Sequence, residues 1–356
     1  MAIIALATGV LALLLKGHEV LTLFKSVPPQ MNTEIVLDRS AGMNQQFEGG
    51  TKLQAALASV ENVLREQPGS ENVAFRQFGG PCDGDNTQLV LKFGRNNAPR
   101  LRNVLPSLRA EGQPSLARAV AEATNDFNDP KRFKGVSTKI VVITGSDDAC
   151  VTNPIDAIRD NLERNKRIGY DIEMDFHFIG MGLTPSQQQN IAQIAQSTKG
   201  HFDFVDRRQD LDNVLRQVLV VEPVVNDVNS LVQFLNAGVA HINQLIGSIN
   251  AKDFSAAESE LEAARKEFKG SDVPFRDLGD RQSTEQFRKL YQIATVNRDL
   301  QDQFLSLAET LVSRGRANDI EGFNKTIQKY NELSSAYNER VSQINELVRQ
   351  LTLAPH

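Results

Sequence analysis

The residues with the plainest chemical meaning are Asp38 and Ser40, which leave an apolar run in EIVLDRSAGM at 34–43. A carboxylate and a hydroxyl released together at a strand's carboxyl end present hard oxygens toward one point. Magnesium or calcium takes about six such oxygens, several of them from water. The next alternate position is Gly42, which adds no oxygen. Other chemistry is thin. His18, His177, His201, His241 and His356 show no metal-ligand spacing, and His177 and His201 fall in expected strands, where a core or edge histidine is the ordinary outcome. There is no Gly-x-Ser-x-Gly elbow and no phosphate-cradling glycine loop before a lysine. A non-enzymatic protein is expected.

The elements around Asp38 follow from periodicity. KLQAALASVENVLRE at 52–66 places Leu53, Leu57, Val60 and Leu64 on one helical face. NVAFRQF, TQLVLKF, TKIVVIT and IEMDFHFIGMG read as strands. RLRNVLPSL, SLARAVAEATNDF, PIDAIRDNLERN and PSQQQNIAQIAQST read as helices between them. Strands alternating with helices predict an α/β domain with a mostly parallel sheet. In such a sheet ligands sit beyond the carboxyl ends of the strands, near the switch in strand order.

The hydrophobic strand followed by Asp38-x-Ser40, with these elements continuous over about 31–220, resembles a von Willebrand factor A domain. The resemblance implies a Rossmann-like fold and a metal-ion-dependent adhesion site built from Asp-x-Ser-x-Ser, a threonine on a second loop and an aspartate on a third. Here Gly42 stands at the second serine. In EGQPSLARAV at 111–120, Pro114 stands at the threonine and Ser115 follows it. In KIVVITGSDDAC at 139–150, Gly145 and Ser146 stand at Asp-Gly, with Asp147 and Asp148 next. The candidate metal set is Asp38, Ser40, Ser115 and Asp147. Most of the family's shell is missing or displaced, so a vestigial site without a cofactor is expected, with magnesium or calcium the ions if the shell is rebuilt. Cys82 and Cys150 fall where a bacterial exported subgroup of the family places two cysteines, which implies a disulfide and an extracytoplasmic setting. Two ordinary buried thiols are the alternative; with no CxxC, zinc is not suggested.

The run AIIALATGVLALLL at 2–15 is shorter than the roughly 20 residues of a bilayer span. No basic residue precedes it and no small-x-small cleavage pattern follows, so residues 1–30 are read as an uncleaved membrane anchor and linker. Lys16 and Lys25 favour keeping the following side cytoplasmic, whereas the cysteines favour the opposite face. A buried helix or strand is the further alternative. The family domain is assigned to 31–222.

From Asn226 onward the β-branched runs give way to stripes at helical spacing, and 223–356 is read as an all-α antiparallel helical bundle. Val228, Leu231, Leu235, Val239, Ile242, Ile246 and Ile249 form one stripe, and Phe254, Ala257, Leu261, Ala264 and Phe268 a second. GSDVPFRDLGD at 270–280 reads as a loop. Leu290, Ile293, Leu300, Phe304, Leu307 and Leu311 form a third stripe, and Ile327, Tyr330, Tyr337, Val341, Ile344, Val348 and Leu351 a fourth, with Asn297 and Ser334 interrupting the seams.

At 356 residues, 40% hydrophobic and 23% charged, the chain is ordinary for a two-domain globular protein. A net charge of -5 without a basic stripe argues against nucleic acid. The expected function is a membrane-anchored scaffold that binds protein partners through the loop edge, with the bundle as an arm able to form homo-oligomers. The alternatives are a metal-dependent adhesin with a rebuilt magnesium or calcium site, and a cytoplasm-facing adaptor of an ATPase or defence complex.

Overall fold

Strand β1 (Met31–Asp38) is buried at every position, as a strand covered on both faces must be. A small hairpin, β2 (Gln46–Phe47) and β3 (Gly50–Thr51), leads into helix α1 (Lys52–Glu66), then β4 (Asn72–Phe78), β5 (Thr87–Gly94), α2 (Asn97–Val104) and α3 (Leu116–Asp126). β6 (Ser137–Thr144), α4 (Pro154–Arg167), β7 (Met174–Met181), α5 (Pro185–Ser197), β8 (His201–Val205) and α6 (Arg208–Arg216) complete the α/β part. The computed structural model describes residues 31–66, 72–84, 86–95, 97–129, 133, 137–167 and 174–352. The apolar run at 2–15, expected as an anchor, lies outside them. The chain divides into two compact units at Pro223 and Val224.

The main sheet has the order β5-β4-β1-β6-β7-β8. Every pairing is parallel except β4 with β5, giving the Rossmann-like architecture. Chain order reverses at β1, which has β4 on one side and β6 on the other. Asp38 is the last residue of that strand, at the switch point where such sheets bind ligands. On one face Leu116, Ala119, Val120 and Ala123 of α3 join Val36, Ile140 and Val142 in a single apolar cluster. Phe93, Phe127 and Phe133 interlock within it, with ring centroids 4.7–5.2 Å apart. One ionic group is sunk in this core. Glu34 is wholly buried, and Arg76 donates from Nε to its Oε1 at 3.1 Å while also pairing with Asp126. Burial pushes the Glu34 carboxyl well up, the Asp126 charge adds to this, and Arg76 opposes it.

The second unit is helical: most of α7 (Glu222–Asn250), then α8 (Phe254–Gly270), α9 (Asp272–Asp280), α10 (Glu285–Arg316) and α11 (Ile320–Thr352). A π-helical turn at Gln217–Val221 precedes α7. The helix Arg208–Asn250 is long and apolar enough by composition to cross a membrane, but 72% of its apolar window is buried inside the protein, as in a core helix. The expected loop at 270–280 is instead α9. Pro274 sits in its first turn, where a missing N–H breaks no helical bond, and Pro274 and Leu278 are both buried one turn apart.

The seams also drift from the expected stripes. Ile246, Ile293, Leu307 and Ile327 are half-buried, and Leu245, Ala294, Ala308 and Thr326 turn inward. A helix with 3.6 residues per turn slides off a seven-residue repeat by about 20° per heptad, so the neighbouring position takes over. Phe304 packs edge-on against Tyr330 and Tyr337 at 5.7 and 6.0 Å. The two phenols donate to Asn243 and Asn236 at 2.8 and 2.7 Å. This is how a buried tyrosine keeps its hydroxyl satisfied.

Two glycines of α7 differ in what surrounds them. A Cβ at Gly238 would lie 2.3 Å from the Phe268 ring, whereas one at Gly247 would meet nothing within 4 Å. In thermal melts, Gly247→Ala is expected to stabilise the chain by about 0.5–1 kcal/mol, the ordinary helical gain. Gly238→Ala is expected to destabilise it by about 1–3 kcal/mol through overpacking.

Candidate functional site

Asp38 is 0% exposed, and each of its oxygens already accepts hydrogen bonds. Oδ1 takes the Ser40 N–H at 2.7 Å. Oδ2 takes the Thr144 hydroxyl at 2.9 Å and the Gly145 N–H at 3.2 Å. Burial pushes its carboxyl above the usual range, and the donors from Ser40, Thr144 and Gly145 oppose that rise. Ser40 is wholly buried, and its Oγ has no hydrogen-bond partner among the described residues.

Gly42 has a steric counterpart across the edge. A Cβ built there would stand 2.1 Å from Ser146 Oγ and 3.6 Å from Ser40 Oγ. The Ser146 hydroxyl, from the loop after β6, therefore occupies the space that a side chain at 42 would need. This compensation was not legible in the sequence, where Ser146 registers only as a replacement for another residue.

The second and third loops direct their polar groups elsewhere. Ser115 Oγ is buried and donates to the Asn86 carbonyl at 3.3 Å, and the Pro114 carbonyl accepts the Ala149 N–H at 2.9 Å. Asp147 accepts from Gln187 Nε2 at 3.4 Å and Asn190 Nδ2 at 2.8 Å, both on α5. Asp148 holds the backbone: its Oδ2 accepts the Ala117 N–H of α3 at 2.7 Å, and its Oδ1 accepts those of Cys150 and Val151 at 2.8 Å. Gly112, at φ +74°, brings the second loop so close to Gly80 that a Cβ would lie 2.4 Å from the Gly80 Cα. Cys82 and Cys150 form a disulfide with Cα atoms 5.1 Å apart, joining the segment before β5 to the third loop.

A cation is already present at this edge. Lys52, the first residue of α1, is 2% exposed. Its Nζ donates to Gln45 Oε1 at 2.7 Å, the Gly145 carbonyl at 2.9 Å and the Gly182 carbonyl at 3.0 Å. Those acceptors match the three protons of an ammonium and come from the first loop, the third loop and the turn after β7. Burial lowers its pKa, and the charges of Asp38 and Asp206 pull the other way. Sequence reading passed over Lys52, since a lysine beginning an amphipathic helix looks like a solvated residue.

Asp38, Ser40, Thr144 and Ser146 thus bring side-chain oxygens together at the end of β1. Pro114 supplies none, while Ser115 and Asp147 are engaged elsewhere. The Lys52 ammonium is fixed beside this set.

Residues 33–148 match the family model described as the von Willebrand factor type A domain. That segment is a von Willebrand factor type A domain. No curated protein matches the chain. Solved structures similar to it include the pilus adhesin SpaC from Lactobacillus rhamnosus GG, at 16% identity and a TM-score of 0.41, covering 55% of this chain and 30% of SpaC. The SpRpn10 VWA domain, at 16% identity and a TM-score of 0.40, covers 53% of this chain and 94% of that domain. The PilB minor pilin from Streptococcus sanguinis, at 9% identity and a TM-score of 0.41, covers 53% of this chain and 60% of PilB. The chain therefore spans under two thirds of the length of SpaC and of PilB.

Lys52→Met in this von Willebrand factor type A domain would leave two backbone carbonyls and an amide oxygen without their donor. It is expected to cost about 2–4 kcal/mol in denaturant unfolding of the full chain. Reducing the Cys82–Cys150 bond, which spans 68 residues, is expected to cost about 2–4 kcal/mol and to lower the Tm.

Proposed function

We propose that the chain is a non-enzymatic protein-binding module whose contact surface is the loop edge at 38–44, 111–116 and 145–152. The edge binds through shape and ordinary hydrogen bonds, without a cation bridging to the partner's carboxylate. The observation that carries this reading is the Lys52 ammonium, which spans Gln45, Gly145 and Gly182 and fixes the loops with a charge of the protein's own. Ser146 in the space of a side chain at 42 and the disulfide support the same picture of an edge held in one shape. A disulfide also favours an extracytoplasmic setting. In this reading the segment at 2–15 holds the protein at a membrane and the helical unit serves as a spacer or oligomerising arm.

A second reading, a metal-dependent adhesin, draws on the buried Ser40 hydroxyl beside Asp38, an oxygen that a cation could take. Calorimetric titration of the full chain with magnesium and with calcium, beside Asp38→Ala, separates the two. The expected result is no saturable binding that depends on Asp38. Saturable binding lost in Asp38→Ala would replace the first reading with the second.

A further inference from the structure

The amino ends of β7 and β8, at the opposite end of the sheet from Asp38, gather a different set of groups. Asp175 and His177 are two residues apart on β7 and so share a face, and His201 on β8 is the direct cross-strand neighbour of His177. The two imidazole centroids are 4.9 Å apart. One ligand atom from each of Asp175, His177 and His201 lies within 4.8 Å of the others. His177 Nε2 is 3.1 Å from Asp175 Oδ2 and 3.7 Å from Glu222 Oε2. Lys139 pairs with Glu222 and stands 3.4 Å from Asp175.

We propose that Asp175, His177 and His201 form a binding site for a divalent transition metal of the zinc class. Two imidazoles and one carboxylate are a donor set for zinc and its neighbours, not for magnesium or calcium, which take oxygen shells. Bonds of about 2.0–2.1 Å around a tetrahedral ion set ligand atoms roughly 3.3 Å apart. The Asp175–His177 spacing already meets that. His201 is exposed, so its ring is free to swing the remaining ångström or so. The fourth position is open to water or to Glu222.

His177 is 5% exposed, and Nε2 is the ring nitrogen that meets Asp175. The Lys139–Glu222 pair balances charge at the rim. A bound ion would clamp β8, the last strand of the sheet, to β7.

The test is titration of the full chain, stripped of metal by a chelator and with its disulfide intact, using zinc alone in competition with a chromophoric zinc chelator. One zinc per chain is expected. Affinity is expected to fall at least tenfold in His201→Asn and in Asp175→Asn. His201 is exposed and Asp175 partly so, and circular dichroism checks that both variants keep the fold. No saturable zinc binding by the unaltered chain, or affinity unchanged in both variants, would overturn the proposal.

Discussion

A carboxylate wholly buried at the end of a central strand is expensive unless its surroundings answer it, and the loop edge of this protein is arranged around that requirement. Asp38 sits where the order of strands reverses, so loops from both halves of the sheet converge on it. Ser40, Thr144 and Gly145 point donors at its two oxygens. Lys52 takes the Gly145 carbonyl from the other side of the same peptide region. The first and third loops are consequently fixed relative to each other by one acid and one base that do not touch. Their separation matters: a direct buried ion pair would leave the surrounding carbonyls and N–H groups to find partners elsewhere.

The second loop is held by different means. The Gly112 backbone lies against Gly80, Gly80 and Gln113 exchange backbone hydrogen bonds at 3.3 and 2.8 Å, and Asp148 caps the start of α3. Each of these reaches across from another part of the sequence, so none depends on the conformation of a single loop. In the helical unit the organising groups are aromatic. Phe304, Tyr330 and Tyr337 fill the seam between α10 and α11, and each tyrosine hydroxyl reaches an asparagine on α7.

The strands and most helices were legible because their signals are one-dimensional. The apolar run at 35–37 announces a strand, and the alternation of strands with amphipathic stretches announces a parallel sheet. Asp38 and Ser40 were legible as a pair because they sit two residues apart at a strand end. The disulfide was read through resemblance alone, since two cysteines do not by themselves choose between a bond and free thiols. Lys52 and Ser146 were not legible because their roles are set by groups distant in sequence: Gly145 and Gly182 for the lysine, Gly42 for the serine. His177 and His201 read as ordinary strand residues for the same reason, since their adjacency belongs to the pairing of β7 with β8. The helix at 272–280 was missed because its glycine and proline were read as loop signals, although proline suits a first turn. The seams were located to within one residue, and the drift of a 3.6-residue helix against a seven-residue repeat accounts for the remainder.

A charge carried on a side chain cannot leave the protein as a bound metal ion can. The ammonium that bridges the loops beside Asp38 cannot be diluted away, captured by a chelator or exchanged for a larger ion, and its stoichiometry is one from the moment the chain folds. An edge braced by a free cation reports the composition of the surrounding fluid, stiffening and relaxing as the ion comes and goes. An edge braced by Lys52 does not follow the fluid's supply of metal ions. The geometry it offers is constitutive, and any switching must come from the partner or from elsewhere in the chain.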